Sequence, residues 1–262
     1  MIPGVHSIDV GGSRRSFLLA EPANGASAVI LSLHGTRSSA EGQARLSRMA
    51  KLADSSGAVV VFPEAVRPVG SGFEWDHDGD LPYLLRLVTD LLNRYPTPIS
   101  RVCVVGMSGG GRMACHFASV HPETVIMAGA VAGLRAPDAP VLSRPVPVLA
   151  FHGTADRINP YDGSGTPRWD ESVPEAARRW AAANGASSEP TTVAVSPTLN
   201  RTTYGSEGQP GEVTLWTAKG AGHTWPGAQL GLFLRMLLGR TTNEIDATDR
   251  IWCFAQRHWP EP

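Results

Sequence analysis

The apolar positions of this chain fall into two kinds of run. Continuous stretches at Ala28 to Leu33, Ala58 to Phe62, Arg101 to Val105, Val125 to Ala132 and Val146 to Phe151 have the length and β-branched content of buried strands. Between them, apolar residues recur at helical spacing. They are Leu46, Met49, Ala50, Leu52 and Ala53 in Gln43 to Ala53, and Leu84, Leu85, Val88, Leu91 and Leu92 in Leu81 to Arg94. Met113, Ala114 and Phe117 follow in Gly109 to Ala118, then Ala176, Ala177, Trp180 and Ala183 in Pro174 to Ala183. Strand alternating with helix predicts an α/β fold, a mostly parallel sheet with helices on both faces.

The ends of the chain depart from that alternation. His6 to Val10 and Arg14 to Ala20 read as two strands joined at Gly11-Gly12, an antiparallel hairpin. Thr191 to Val195 and Glu212 to Trp216 read as strands separated by a polar segment on which the pattern is silent. The chain closes on an amphipathic run, Ala247 to His258, carrying Ile251, Trp252, Phe254 and Ala255. Residues 64 to 80 read as a loop, with Asp80 as the N-cap of the helix from Leu81. The alternate acids of that loop suggest a calcium loop only loosely, because its glycine comes one place early and Leu87 stands where a bidentate acid is needed.

Composition adds limits. There is no compositional break in 262 residues, so a single domain over 1–262 is expected. With 23 basic and 24 acidic residues evenly mixed, the charge of −1 gives no footprint for nucleic acid or an anionic membrane. No apolar run approaches the ~20 residues that span a bilayer. The N-terminus MIPGVHSIDV lacks a basic and an apolar leader region, so a cytoplasmic protein is expected, or a secreted one if a leader has been removed. Cys103, Cys115 and Cys253 read as small buried hydrophobes rather than a disulfide framework. No histidine spacing suits zinc, and no cofactor or oligomeric state is implied.

The candidate chemistry sits at the ends of the strands. Gly106-Met107-Ser108-Gly109-Gly110 fits the G-x-S-x-G nucleophile turn, with a strand before it and a helix after it. Ligands of open parallel sheets bind at the carboxyl ends of the strands, and Thr36, Ser108, Asp156 and His223 each follow one. Ser, then Asp, then His is the chain order of the α/β-hydrolase triad. In that reading Ser108 is the nucleophile, His223 its base and Asp156 the orienting acid. The backbone N–H groups of Thr36 and Gly109 form the oxyanion hole. His34 and His152 compete as bases, and Asp162 and Asp170 as acids. Trp225 and Trp75 are candidates for the wall of an acyl or aryl pocket.

Five segments carry a family likeness: HGT at 34–36, GMSGGGRMA at 106–114, FHGTADRINPYDG at 151–163, AGHTWPG at 221–227 and LGRTTNEIDATDRIWCFAQRH at 238–258. Together they resemble the polyhydroxybutyrate depolymerase and feruloyl esterase branch of the α/β-hydrolases. The resemblance implies the α/β-hydrolase fold and hydrolysis of a small or polymeric carboxylic ester through an acyl-enzyme, with Ser108, Asp156 and His223 as the matching triad. Gly109 departs from the asparagine frequent in that family while keeping the backbone donor, and members of the family are mostly secreted and often cysteine-bridged. A serine peptidase of the same fold and a non-catalytic binding protein on this scaffold are the alternative readings.

Overall fold

Every buried strand of this chain sends alternate side chains to opposite faces of one sheet, and each face is closed by its own helices. The computed structural model describes residues 2–95, 101–166, 169–187 and 189–259. Its strands are β1 (Gly4–Val10), β2 (Ser13–Ala20), β3 (Ala28–Leu33), β4 (Ala58–Pro63), β5 (Arg67–Val69), β6 (Gly72–Glu74), β7 (Val102–Met107), β8 (Met127–Val131), β9 (Val148–Gly153), β10 (Thr191–Ser196), β11 (Leu199–Tyr204) and β12 (Val213–Ala218). The helices are α1 (Ala40–Ser47), α2 (Lys51–Ser56), α3 (Leu81–Arg94), α4 (Gly109–Val120), α5 (Val173–Ala183), α6 (Leu232–Leu238) and α7 (Ala247–Arg257).

The main sheet has the order β1-β2-β4-β3-β7-β8-β9-β12-β11-β10. From β4 to β12 the neighbours run parallel. An antiparallel pair closes each edge. The hairpin at one edge is the expected one, turned at Gly11 and Gly12 with φ of 55° and 81°. The pair at the other edge differs from expectation, because the polar segment before Glu212 holds β11, whose residues alternate too weakly to mark a strand.

In β3, Val29, Leu31 and Leu33 join the side chains of α3, α4 and α5, while Ala28 and Ile30 join those of α1, α2 and α7. Neighbouring strands repeat the division, Val102 and Val104 of β7 against Cys103 and Val105. Burying a large aliphatic side chain contributes about 1.5–3 kcal/mol, so the sheet's two apolar faces set the register of the whole fold. Burial pushes the Cys103 and Cys115 thiols up to about 12 and leaves them inert. Cys253 corrects the sequence reading: it is exposed, on the outer side of α7.

Three local expectations also change. The helix expected over 43–53 is two helices, because Arg48 turns left-handed at φ 54° and caps α1 through Arg48 N–H to Ala44 O at 3.0 Å. Arg48 then reaches Asp246 at 2.7 Å and Gly227 O at 3.0 Å, tying this corner to the C-terminal third. The loop at 64–80 contains the hairpin β5–β6. Asp80 holds the expected N-cap position of α3 but makes no side-chain capping bond; its carboxylate accepts from Arg15 at 2.7 Å and from Asp76 N–H at 3.0 Å. Among the described residues no helix is long and apolar enough to cross a membrane.

Candidate active site

Register alone gathers the candidate residues. Leu33 pairs with Gly106, Met107 with Val131, Val131 with Phe151, and Gly153 with Ala218, so the carboxyl ends of β3, β7, β8, β9 and β12 form one rim. The turns after four of these strands carry Thr36, Ser108, Asp156 and His223.

Ser108 stands between β7 and α4 with φ 54° and ψ −117°, a strained conformation for a residue with a side chain. Its N–H donates to Val131 O at 2.8 Å, and its C=O accepts from Arg112 N–H at 3.0 Å, which hold the turn in place. The turn is so tight that a Cβ on Gly106 would overlap the backbone of Gly110, and one on Gly110 would overlap Leu33 and His34 carbonyl oxygens. These two positions therefore accept only glycine. The N-terminal end of α4, with its unpaired N–H groups, opens directly after Ser108.

Thr36 follows β3 in a turn that is held from three sides. His34 is fully buried, with Nδ1 donating to Gly35 O at 2.9 Å and Nε2 accepting from Ala65 N–H at 3.2 Å. Trp75 donates its indole N–H to His34 O at 2.9 Å and packs against the imidazole at 5.1 Å between centroids. Phe73 exchanges backbone hydrogen bonds with Arg37 and Ser38, both at 2.9 Å. The loop after β4 is thus the outer brace of the Thr36 turn. A Cβ on Gly109 would overlap Thr36 Oγ1 and lie 3.0 Å from Thr36 N, so the two residues expected to form the oxyanion hole lie against each other.

Asp156 lies just after β9, and its side chain is completely buried. Oδ1 accepts from Ile158 N–H at 2.9 Å and Asn159 N–H at 2.8 Å, and Oδ2 accepts from His223 Nδ1 at 2.7 Å. Burial alone would raise its pKa. Donors from His152, His223 and Asn159 outweigh that, and hold the carboxyl well below the usual carboxylate range. The bond to Asp156 fixes the Nδ1–H tautomer of neutral His223 and leaves Nε2 as the basic nitrogen. The Ser108 hydroxyl makes no hydrogen bond among the described residues, so Asp156 and His223 are joined and Ser108 stands apart from the pair.

The remaining candidates fall elsewhere. His152 turns Nε2 toward the acid, donating to Asn159 O at 2.8 Å and lying 3.3 Å from Asp156 Oδ2, while its Nδ1 is buried without a hydrogen-bond partner among the described residues. Asp162 and Asp170 are exposed. Trp225, expected in a pocket wall, is 1% exposed and belongs to the core over α2 and α7. Trp75, expected in the same wall, is buried as the brace of His34. The sequence reading missed Arg112, whose guanidinium lies 3.5 Å from a Cβ built on Gly109 and 5.5 Å from the ring of Trp169. Arg135 stacks on the same ring at 3.9 Å. Only the position of Arg112, one helical turn past Ser108, could have marked it.

No family model matches the chain. It is 29% identical over 245 residues to a protein described as "Putative esterase NocK" from Nocardia uniformis subsp. tsuyamanensis, covering 84% of this chain and 71% of that one. It is 30% identical over 155 residues to the bifunctional acetylxylan esterase/xylanase XynS20E of Neocallimastix patriciarum, covering 57% of this chain but only 22% of that one. Among solved structures, the acetyl xylan esterase from Aspergillus awamori superposes with a TM-score of 0.64 at 19% identity, over 84% of this chain and 94% of that one. The fold is that of the α/β-hydrolases.

Proposed function

We propose that this carboxylic ester hydrolase works through an acyl-enzyme formed on Ser108. The observation that carries the reading is the 2.7 Å bond between His223 Nδ1 and a buried, fully satisfied Asp156, made at the same sheet rim as the strained Ser108 turn. Seating an ester brings His223 Nε2 and the Ser108 hydroxyl into contact, as catalytic hydrogen bonds often tighten only in the complex. Ser108 Oγ attacks the carbonyl carbon as His223 Nε2 takes its proton. The oxyanion that forms accepts from the N–H groups of Thr36 and Gly109. Collapse breaks the bond to the alcohol oxygen, which leaves with the proton from His223. Water, deprotonated by His223, then frees the acid and restores Ser108.

The substrate class we infer is a carboxylic ester of a small or polymeric alcohol: an acetyl or feruloyl ester, or a short hydroxyalkanoate ester. The acetylxylan esterases among the relatives support the acetyl ester, and the His-Thr-Trp-Pro-Gly and His-Gly-Thr-x-Asp segments support the wider branch. Residues of the Arg112, Trp169 and Arg135 stack supply a planar, cationic surface on the α4 side of Ser108, suited to an aryl or carbohydrate alcohol.

A panel of p-nitrophenyl acyl esters, methyl ferulate and acetylated xylan tests the proposal beside Ser108→Ala. Hydrolysis of at least one by the wild type, abolished in the variant, is expected. Failure to cleave any of them, or full rate in Ser108→Ala, would overturn it. A fluorophosphonate probe should label the wild type at Ser108 alone.

A further inference from the structure

Asn159 is buried in the loop after β9 and touches both halves of the candidate site. Its N–H donates to Asp156 Oδ1 at 2.8 Å, and its C=O accepts from His152 Nε2 at 2.8 Å. These two backbone bonds hold it on the acid's side of the rim. Its side chain reaches the other way, where Nδ2 donates to the backbone oxygen of Ala132, just past the end of β8. In the sheet β8 lies between β7, which leads to Ser108, and β9, which leads to Asp156.

Ala132 is a point of strain. It takes φ 49°, the left-handed region that a residue with a Cβ enters only where its surroundings hold it there. Its N–H donates to Phe151 O at 2.8 Å, and the preceding carbonyl, Val131 O, accepts from Ser108 N–H at 2.8 Å. The turn then lays Gly133 on the nucleophile: a Cβ at Gly133 would stand 2.3 Å from Ser108 O and 3.1 Å from Ser108 Cα. A shift of Ala132 is therefore passed directly to the backbone of Ser108.

We propose that Asn159 is a positioning residue that sets the spacing between the Ser108 turn and the Asp156–His223 pair, its side chain pinning the left-handed Ala132 while its own N–H holds Asp156. It acts through Ala132 and Gly133 rather than on the ester. The role rests on the acyl-enzyme reading, in which Ser108 Oγ and His223 Nε2 meet when substrate is seated. A side chain can swing into that contact only if the two turns already stand at the right distance. The bonds of Asp156 to His223, Ile158 and Asn159 N–H all lie on the acid's side and leave that distance open. The Asn159 amide crosses it.

Asn159→Ala, which keeps both backbone bonds and removes only the amide, tests this. Fluorophosphonate labelling of Ser108 and kcat on a p-nitrophenyl ester should each fall by about ten- to a hundredfold, with KM within about threefold of the wild type. The downfield proton NMR signal of the His223–Asp156 hydrogen bond should persist, because that pair is untouched. Glycine takes the left-handed turn without strain, so adding Ala132→Gly to Asn159→Ala should recover most of the lost rate. A merely structural Asn159 would lower the melting temperature and leave the labelling rate of the folded protein unmoved. Should the alanine variant not fold, Asn159→Leu, of similar volume and also without the donor, is read in the same way. A labelling rate within about twofold of the wild type, loss of the downfield signal, or no recovery with Ala132→Gly would overturn the proposal. A wild type that the probe does not label would overturn the acyl-enzyme reading and this role with it, whereas equal labelling of the wild type and Asn159→Ala would overturn this role alone.

Discussion

His152 Nε2 lies 3.3 Å from Oδ2 of Asp156, the same oxygen that His223 Nδ1 engages at 2.7 Å. His152 thereby serves as a positioning residue for the acid. His152→Phe should lower kcat/KM by about ten- to a hundredfold, because small misplacements at a reacting centre carry such costs. With one donor lost, the Asp156 carboxylate becomes more basic and attracts the His223 imidazolium more strongly, so the acid limb of the pH–rate profile should move up. His152→Gln, which restores a donor, should recover most of both. An unmoved pH profile accompanied only by a lower melting temperature would reduce His152 to a packing role.

Asp156→Asn retains the oxygen that accepts from Ile158 and Asn159 but leaves the wrong partner for His223 Nδ1. Turnover should fall by about 10⁴-fold with the fold intact. Steady-state kinetics with circular dichroism decides it; a loss below about tenfold would remove Asp156 from the proposed triad.

Gly109→Ala puts a Cβ against Thr36 Oγ1 and N, and should spread the oxyanion donors. Losing one such donor costs about 10²–10³ in turnover. Thr36→Ala removes the hydroxyl but not the backbone contact, so the double variant should recover part of the loss. Additive losses in that double-mutant cycle would show that the two residues do not share a space.

Glu212, just before β12, is wholly buried against the end of the C-terminal helix, accepting from Arg257 at 2.7 Å, His258 at 3.1 Å, Thr214 at 2.8 Å and Gly208 N–H at 2.7 Å. Burial would raise its pKa, yet His258, Gly208, Thr214 and Arg257 together lower it. Glu212→Ala strands these donors and should cost about 3 kcal/mol or more in urea unfolding. A change under about 1 kcal/mol would mean that the C-terminal helix is held by its apolar face alone.

The pair of His116 with Asp138, 2.9 Å apart, gives a pH dependence. The hydrogen bond to Asp138 is the main cause that raises the His116 pKa, and the same bond lowers that of Asp138. A raised histidine stabilises the fold below its ordinary value near 6.5 and loses that contribution as pH rises through the folded value. A lowered carboxylate stabilises above about 4 and loses it as pH falls. The pair should therefore be strongest between those limits. Asp138→Asn should flatten the fall in melting temperature from about pH 6 to 8; an unchanged slope would count against the pair.

Much of this architecture was legible because it repeats a simple pattern. The apolar runs at 28–33 and 58–62 carry no ambiguity, and the turn residues after each strand reveal which positions face the rim. The left-handed Arg48 was hidden because apolar spacing continues unbroken across it. β5, β6 and β11 lack the alternation that marks a strand, and their pairing is a property of partners distant in sequence. Trp225 looked like a pocket wall because it is two residues from His223, but sequence distance cannot tell which side of a turn a ring takes. The same limit applies to His152: its place beside Asp156 depends on how the loop after β9 curls back through Asn159.

The four turns at the rim span residues 36 to 223 and follow β3, β7, β9 and β12, which stand across the sheet in their chain order. No contiguous fragment that lacks β3 or β12 can assemble them. Turnover would therefore serve as a clock for folding: during refolding, activity should return with the last parallel pairing, β9 with β12, and lag behind the recovery of helix, which needs only local contacts.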